Sequence, residues 1–106
     1  MVKRYNDAER ALIGSILLNE DRLDDVLPIV PSGDYFASTE NAHVWEAVKR
    51  LYEARRPVTL VTVIESLGSH LKAVGGAVAV AAYQDATPTS HHAEDYARTV
   101  ARGHVE

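Results

Sequence analysis

The chain has 106 residues, 46% hydrophobic and 25% charged, with no cysteine and a formal net charge of −4. That length suits one domain with a single core, and the missing cysteine excludes disulfides, thiolate zinc sites and cysteine nucleophiles while fitting a reducing, cytoplasmic setting. The acidic balance argues against a domain that binds nucleic acid unaided, and no apolar run approaches the roughly 20 residues of a membrane span. MVKRYNDAER is basic, but no apolar segment follows it, so it does not read as a secretory signal.

Residues 1–6 are expected to be flexible. Asn6-Asp7-Ala8-Glu9 has capping-box spacing, in which Asn6 accepts from the amide of Glu9 and the Glu9 side chain reaches back. Ala8, Leu12 and Ile16 fall on one stripe, widened by Ala11, Ile13, Leu17 and Leu18, which predicts a helix over 7–19 in contact on more than one side. Gly14 costs about 1 kcal/mol against alanine in mid-helix, and close approach by another helix is the expected compensation. A short second helix opens at Asp21, carries Leu23, Val26 and Leu27, and stops at Pro28. The cluster Pro31-Ser32-Gly33-Asp34 is a turn.

Ser38 or Thr39 caps a third helix, with Val44, Trp45, Val48, Leu51 and Tyr52 at three- and four-residue spacing. On its polar face Glu46 and Arg50 have the spacing of a favourable ion pair, and Arg55-Arg56-Pro57 breaks the helix. VTLVTVIESL, 58–67, has β-branched residues that favour a strand. Leu60, Val63, Ile64 and Leu67 nevertheless keep helical spacing behind a Thr59 cap, so a short helix ending at Gly68 is expected. KAVGGAVAVAAY, 72–83, reads as a turn at Gly75-Gly76 and then a helix over 77–85 buried nearly all round, with a buried strand as the alternative. Pro88 stands near the start of a last helix, whose apolar face is Ala93, Tyr96, Ala97, Val100 and Ala101, with Gly103 placed to fray its end. The prediction is an all-α bundle of about six short helices joined by short loops.

No catalytic constellation emerges. A phosphate loop needs glycines ahead of Gly-Lys-Ser/Thr, whereas Lys72 precedes the glycine pair and no lysine follows a glycine. His91 and Asp95 have the spacing of two metal ligands, but no further ligands are identifiable where a closed zinc site wants about four. Gly14-Ser15 lies inside an apolar helix pattern without a nucleophile elbow. Asp24-Asp25 are adjacent and face different directions, unlike an acid/base couple. Lys49, Arg50, Arg55 and Arg56 cluster where the third helix ends, which is also where the helix dipole favours cations. The residues argue for an interaction module with no cofactor of its own.

In order and spacing, AERALIGSILLNEDRL (8–23), Asp34-Tyr35-Phe36, Val44-Trp45, PVTLVTVIESL (57–67), Val74-Gly75-Gly76, Thr87-Pro88, and Tyr96-Ala97 with Val100 resemble the N-terminal domain of DnaB-type replicative DNA helicases of bacteria and phages. The resemblance runs over 7–102. Three departures mark a divergent member: Asn41 stands where a histidine is common, Thr59 replaces an aspartate cap, and Ala79, Val80 and Tyr83 replace a Tyr-Leu-x-x-Leu pattern.

The resemblance implies a single all-α domain over 1–106, a helical head whose last helix leads into a helical hairpin truncated here. It implies a non-catalytic collar on a hexameric helicase ring in DNA replication. There the domain pairs with itself and docks primase and, in some systems, a helicase loader. ATP and magnesium would be held by a separate C-terminal RecA-like domain outside this chain, and DNA would be met through the parent ring, in the cytoplasm. The candidate protein interface is the last helix, at Tyr96, Val100, Ala101 and Val105, set against the simpler reading of a helix packed on its own core. A freestanding all-α adaptor and a small DNA-binding helical domain are the alternatives.

Overall fold

The computed structural model describes the backbone of residues 2–105 and the side chains of residues 6–104. Six α-helices follow one another: α1 Val2–Leu18, α2 Leu23–Val26, α3 Thr39–Glu53, α4 Leu60–Leu67, α5 Gly76–Asp85 and α6 Ala93–Val105. Single 3-10 turns stand at Glu20–Arg22, Gly33–Tyr35 and Gly68–His70, and no strand occurs among the described residues. The all-α prediction holds, including the ambiguous 58–67 segment. Thr59 and Thr62 close a capping box there, and Gly68 ends the helix. The expected flexible segment over 1–6 lies largely outside the residues whose side chains are described.

α1 is the central element because its apolar stripe is wide. Leu12, Ile13 and Ile16 are fully buried, and α3, α5 and α6 all pack on it, while α4 lies against α3 and α5. α3 contributes Val44, Trp45, Ala47 and Val48, each fully buried. The Trp45 indole donates to the Val30 carbonyl at 3.1 Å, so its one polar atom is satisfied inside the core. The two left-handed glycines Gly75 (φ 105°) and Gly76 (φ 84°) make the turn that launches α5, a backbone path costly for any residue with a Cβ.

Three local expectations are overturned. α1 starts before Asn6, so the Asn6–Glu9 capping box does not form; both side chains reach instead toward α3. Glu46 and Arg50 do not pair. Glu46 accepts from the Gly33 amide at 2.6 Å and Arg50 donates to the Ser66 carbonyl at 2.9 Å, each preferring a backbone group on a neighbouring element. α5 is not buried nearly all round, because its neighbours α1 and α4 cover one side only. Val80 and Tyr83 are buried, while Val78 is 83% exposed. Val78→Ser is therefore expected to shift stability in urea by less than about 0.5 kcal/mol, as at other open surface positions.

Candidate interaction surface

The residues weighed for chemistry occupy surface or structural positions. His91, His92 and Asp95 are exposed, and Asp95 pairs with Arg98 at 3.3 Å. No group of three or more potential metal ligands occurs among the described residues. Ser15 is buried and donates back to the Ala11 carbonyl at 2.8 Å, a purely helical role. Asp24 accepts from the Tyr52 phenol at 2.5 Å; that hydrogen bond, with some desolvation, raises the Tyr52 pKa. Of the basic cluster, Arg50 is held by Ser66, and Arg56 makes a loose exposed contact with Glu65 at 3.9 Å. Arg55 takes the left-handed position (φ 59°) that ends α3.

A buried polar network ties three helices together. Glu9 on α1 is 1% exposed. Its carboxylate accepts from the Ala37 amide at 2.6 Å, the Ser38 amide at 3.3 Å and the Asn41 side-chain amide at 2.9 Å. Asn41 also donates to Asn6 at 2.8 Å and accepts from the Tyr83 hydroxyl at 2.5 Å. Burial raises the Tyr83 pKa, against the opposing pull of the Arg10 guanidinium, which lies 4.4 Å from the ring centroid. No buried side-chain polar atom among the described residues is left without a partner. Sequence reasoning missed this network. The available signal was that Asn41 and Tyr83 both depart from the family pattern, and the structure shows these two departures hydrogen-bonded to each other.

Along α6, Ala93, Ala97 and Val100 face α1 and are buried, Val100 at 1% exposure. Tyr96 and Ala101 flank that stripe and are half-buried. Val105, the last of the predicted interface residues, has its side chain outside the described set. The outer face is charged, with Arg98 bridging Glu94 at 3.1 Å and Asp95. Near the C-terminal end His104 stacks on Tyr35, ring centroids 4.2 Å apart, which fastens the last turn to the Gly33–Tyr35 segment. Tyr96 opens onto a cleft of about 170 Å³ between α1, the α5–α6 loop and α6. Asp7, Arg10 and Ala11 line it from α1, and Ala86, Thr87 and Pro88 from the loop.

Against known proteins, residues 2–102 match the family described as the DnaB-like helicase N terminal domain. The replicative DNA helicase DnaB of Mycobacterium leprae is 33% identical over 96 residues, which are 89% of this chain and 16% of that protein. The replicative DNA helicase DnaB of Leifsonia xyli subsp. xyli is 30% identical over 96 residues, 89% of this chain and 21% of that protein. The chain thus spans about a fifth or less of the length of these relatives. The crystal structure of the N-terminal domain of DnaB helicase from Mycobacterium tuberculosis superposes with a TM-score of 0.87 at 30% identity, over 92% of this chain and 72% of that one. The match is to the N-terminal domain, and the RecA-like ATPase domain is not among the residues present. No helix among the described residues is long and apolar enough to cross a membrane. The chain belongs to the DnaB-like helicase N-terminal domain family.

Proposed function

We propose that this domain is the non-catalytic assembly module of a hexameric replicative helicase, acting in the cytoplasm to associate with further copies of itself and to dock primase or a loader. The observation that carries the reading is the family match over residues 2–102 on a helical head of the same fold. On this reading ATP and magnesium are used by a RecA-like domain elsewhere in the parent, and DNA is held by the parent ring. The self-association face on this reading is at Tyr96 on α6, with Ala101, about 140° round the helix, on the opposite flank of the buried stripe. Val100 supports it from beneath, since its side chain is in the core. Direct DNA binding is disfavoured by the net charge of −4 and by the partial engagement of the basic cluster at the end of α3.

Mass measurement in solution tests this. The wild-type chain is expected to gain mass with concentration and to form a heavier complex with its cognate primase. Tyr96→Asp is expected to shift the self-association toward monomer while keeping the helical circular dichroism spectrum. Wild type and variant both remaining monomeric, with no primase complex, would overturn the reading.

A further inference from the structure

Between α4 and α5 the chain makes a small lobe, residues 68–76, joined to the rest of the domain at few points. Its backbone closes on itself: the Leu71, Val74, Gly75 and Gly76 amides donate to the Gly68, His70, Lys72 and Leu71 carbonyls at 2.9 to 3.2 Å. Apart from the bonds that continue α4 and α5 at its two ends, no hydrogen bond or ion pair ties the lobe to another element among the described residues. Both ends turn on left-handed glycines, Gly68 at φ 54° and Gly76 at φ 84°, and a Cβ at either would meet nothing within 4 Å. No neighbour therefore clamps these two hinges. Side chains hold the lobe down. Val74 is buried and Leu71 is half-buried against the core. His70, exposed, lies flat on half-buried His43 of α3, with ring centroids 4.3 Å apart and planes 17° apart.

We propose that the His43–His70 stack is an acid-sensitive catch, which holds the 68–76 lobe on α3 while at most one ring is charged and releases it when both are. Imidazoles change charge between about pH 8 and pH 5. Two neutral rings stack as other aromatic rings do, and one imidazolium over a neutral ring adds a cation–π attraction. A second proton sets two like charges 4.3 Å apart and turns attraction into repulsion. The released lobe thus takes up more protons than the docked one, so docking is complete above that pH window and is lost as the pH falls through it. The surrounding charges do not cancel the effect. On α3, Glu40 and Glu46 stand one turn either side of His43, but Glu40 accepts from the Ser38 hydroxyl and Glu46 from the Gly33 amide. Glu9 of α1 is enclosed by the amides at the start of α3. On α4, Glu65 lies toward Arg56, and the Arg50 guanidinium reaches the Ser66 carbonyl. The lobe adds a further cation, Lys72, while α5 has its one carboxylate, Asp85, at its far end and its Tyr83 hydroxyl on Asn41. Neither these carboxylates nor Asp34 of the Gly33–Tyr35 turn forms an ion pair with either imidazole.

The chain holds no cysteine, so a single introduced thiol reads the lobe without background. Val74→Cys places that thiol beneath the lobe and Ala73→Cys places it on the open side, since Val74 is buried and Ala73 exposed. Each chain is reacted with a dipyridyl disulfide between about pH 7.5 and about pH 5.5, and dividing the Val74→Cys rate by the Ala73→Cys rate removes the pH dependence of the thiol itself. On acidification the ratio is expected to rise at least about fivefold in the otherwise wild-type chain. In the His43→Phe and His70→Phe backgrounds it is expected to rise less than about twofold, because an aromatic face remains but two charges can no longer meet. A flat ratio in the otherwise wild-type chain, or an equal rise in both phenylalanine backgrounds, overturns the proposal. So does loss of the helical circular dichroism spectrum over the same pH range, which would place the opening in the whole domain. Should His43→Phe fail to fold, His70→Phe, at an exposed position, decides by itself.

Discussion

Glu9→Ala is expected to destabilise the domain by about 3 kcal/mol, a large share of the roughly 5–15 kcal/mol a domain has. The carboxylate receives three hydrogen bonds, from the Ala37 and Ser38 amides and the Asn41 side chain, at a site 1% exposed. Its charge is therefore solvated by the protein, and truncation leaves the donors facing an apolar methyl. One term opposes this: removing a buried charge recovers its desolvation cost. That term is the smaller, because the donors' own desolvation remains and none can reach another acceptor without moving α3 from α1. Glu9→Gln is expected to fall between, since its amide offers one acceptor but turns a donor toward other donors. Tyr83→Phe removes only the bond to Asn41 and is expected to cost about 1 kcal/mol. Because both side chains meet at Asn41, the double variant should depart from additivity by about 0.5 kcal/mol or more. Urea unfolding with unchanged m-values measures all four. A loss below about 1 kcal/mol for Glu9→Ala would mean that the network adds nothing beyond its own desolvation.

The same residues show where local reading of the chain works and where it stops. Periodicity located α1, α3 and α6 because each buries a stripe at helical spacing, and the cap at Thr59 decided the 58–67 segment against its β-branched composition. Those signals act within one or two turns of chain. Glu9 stood three residues after Asn6 with the pattern of a local cap, yet it serves the N-terminus of α3, accepting from the N-cap Ser38 amide 29 residues away. The sequence pattern named the right physical role, a carboxylate satisfying orphan amides at a helix start, and assigned it to the wrong helix. Glu46 and Arg50 failed in the same way, each drawn off by a carbonyl or amide that only the tertiary fold brings near. α5 was misjudged because an apolar helix reads as buried whether or not the rest of the chain suffices to cover it, and here Val78 is left open. For the interaction surface, Tyr96 was legible as part of an apolar stripe. The cleft it opens onto was not, since Asp7, Arg10 and Pro88 come together only when α1 and α6 pack.

Gly14→Ala is expected to lower stability by about 2 kcal/mol, or about 10 °C in Tm, although alanine is the better helix former. Judged from α1 alone, the substitution should stabilise by about 1 kcal/mol. A Cβ at position 14, however, would lie 2.8 Å from Thr87 Cβ and closer still to Thr87 Oγ1 and the Tyr83 carbonyl oxygen. These are not flexible ends. Thr87 Oγ1 donates to the Tyr83 carbonyl at 2.8 Å, so hydroxyl and carbonyl are locked together against α1. To admit the methyl, the C-terminal end of α5 must move away, and Tyr83 moves with it, pulling its hydroxyl from Asn41. The clash therefore spreads into the buried network, which sets the sign of the result. Thr87→Ala in the Gly14→Ala background should restore part of the loss, since it removes the Oγ1 contact and leaves the carbonyl one. A Gly14→Ala chain more stable than wild type in a thermal melt would mean that α5 does not press on α1 at this point.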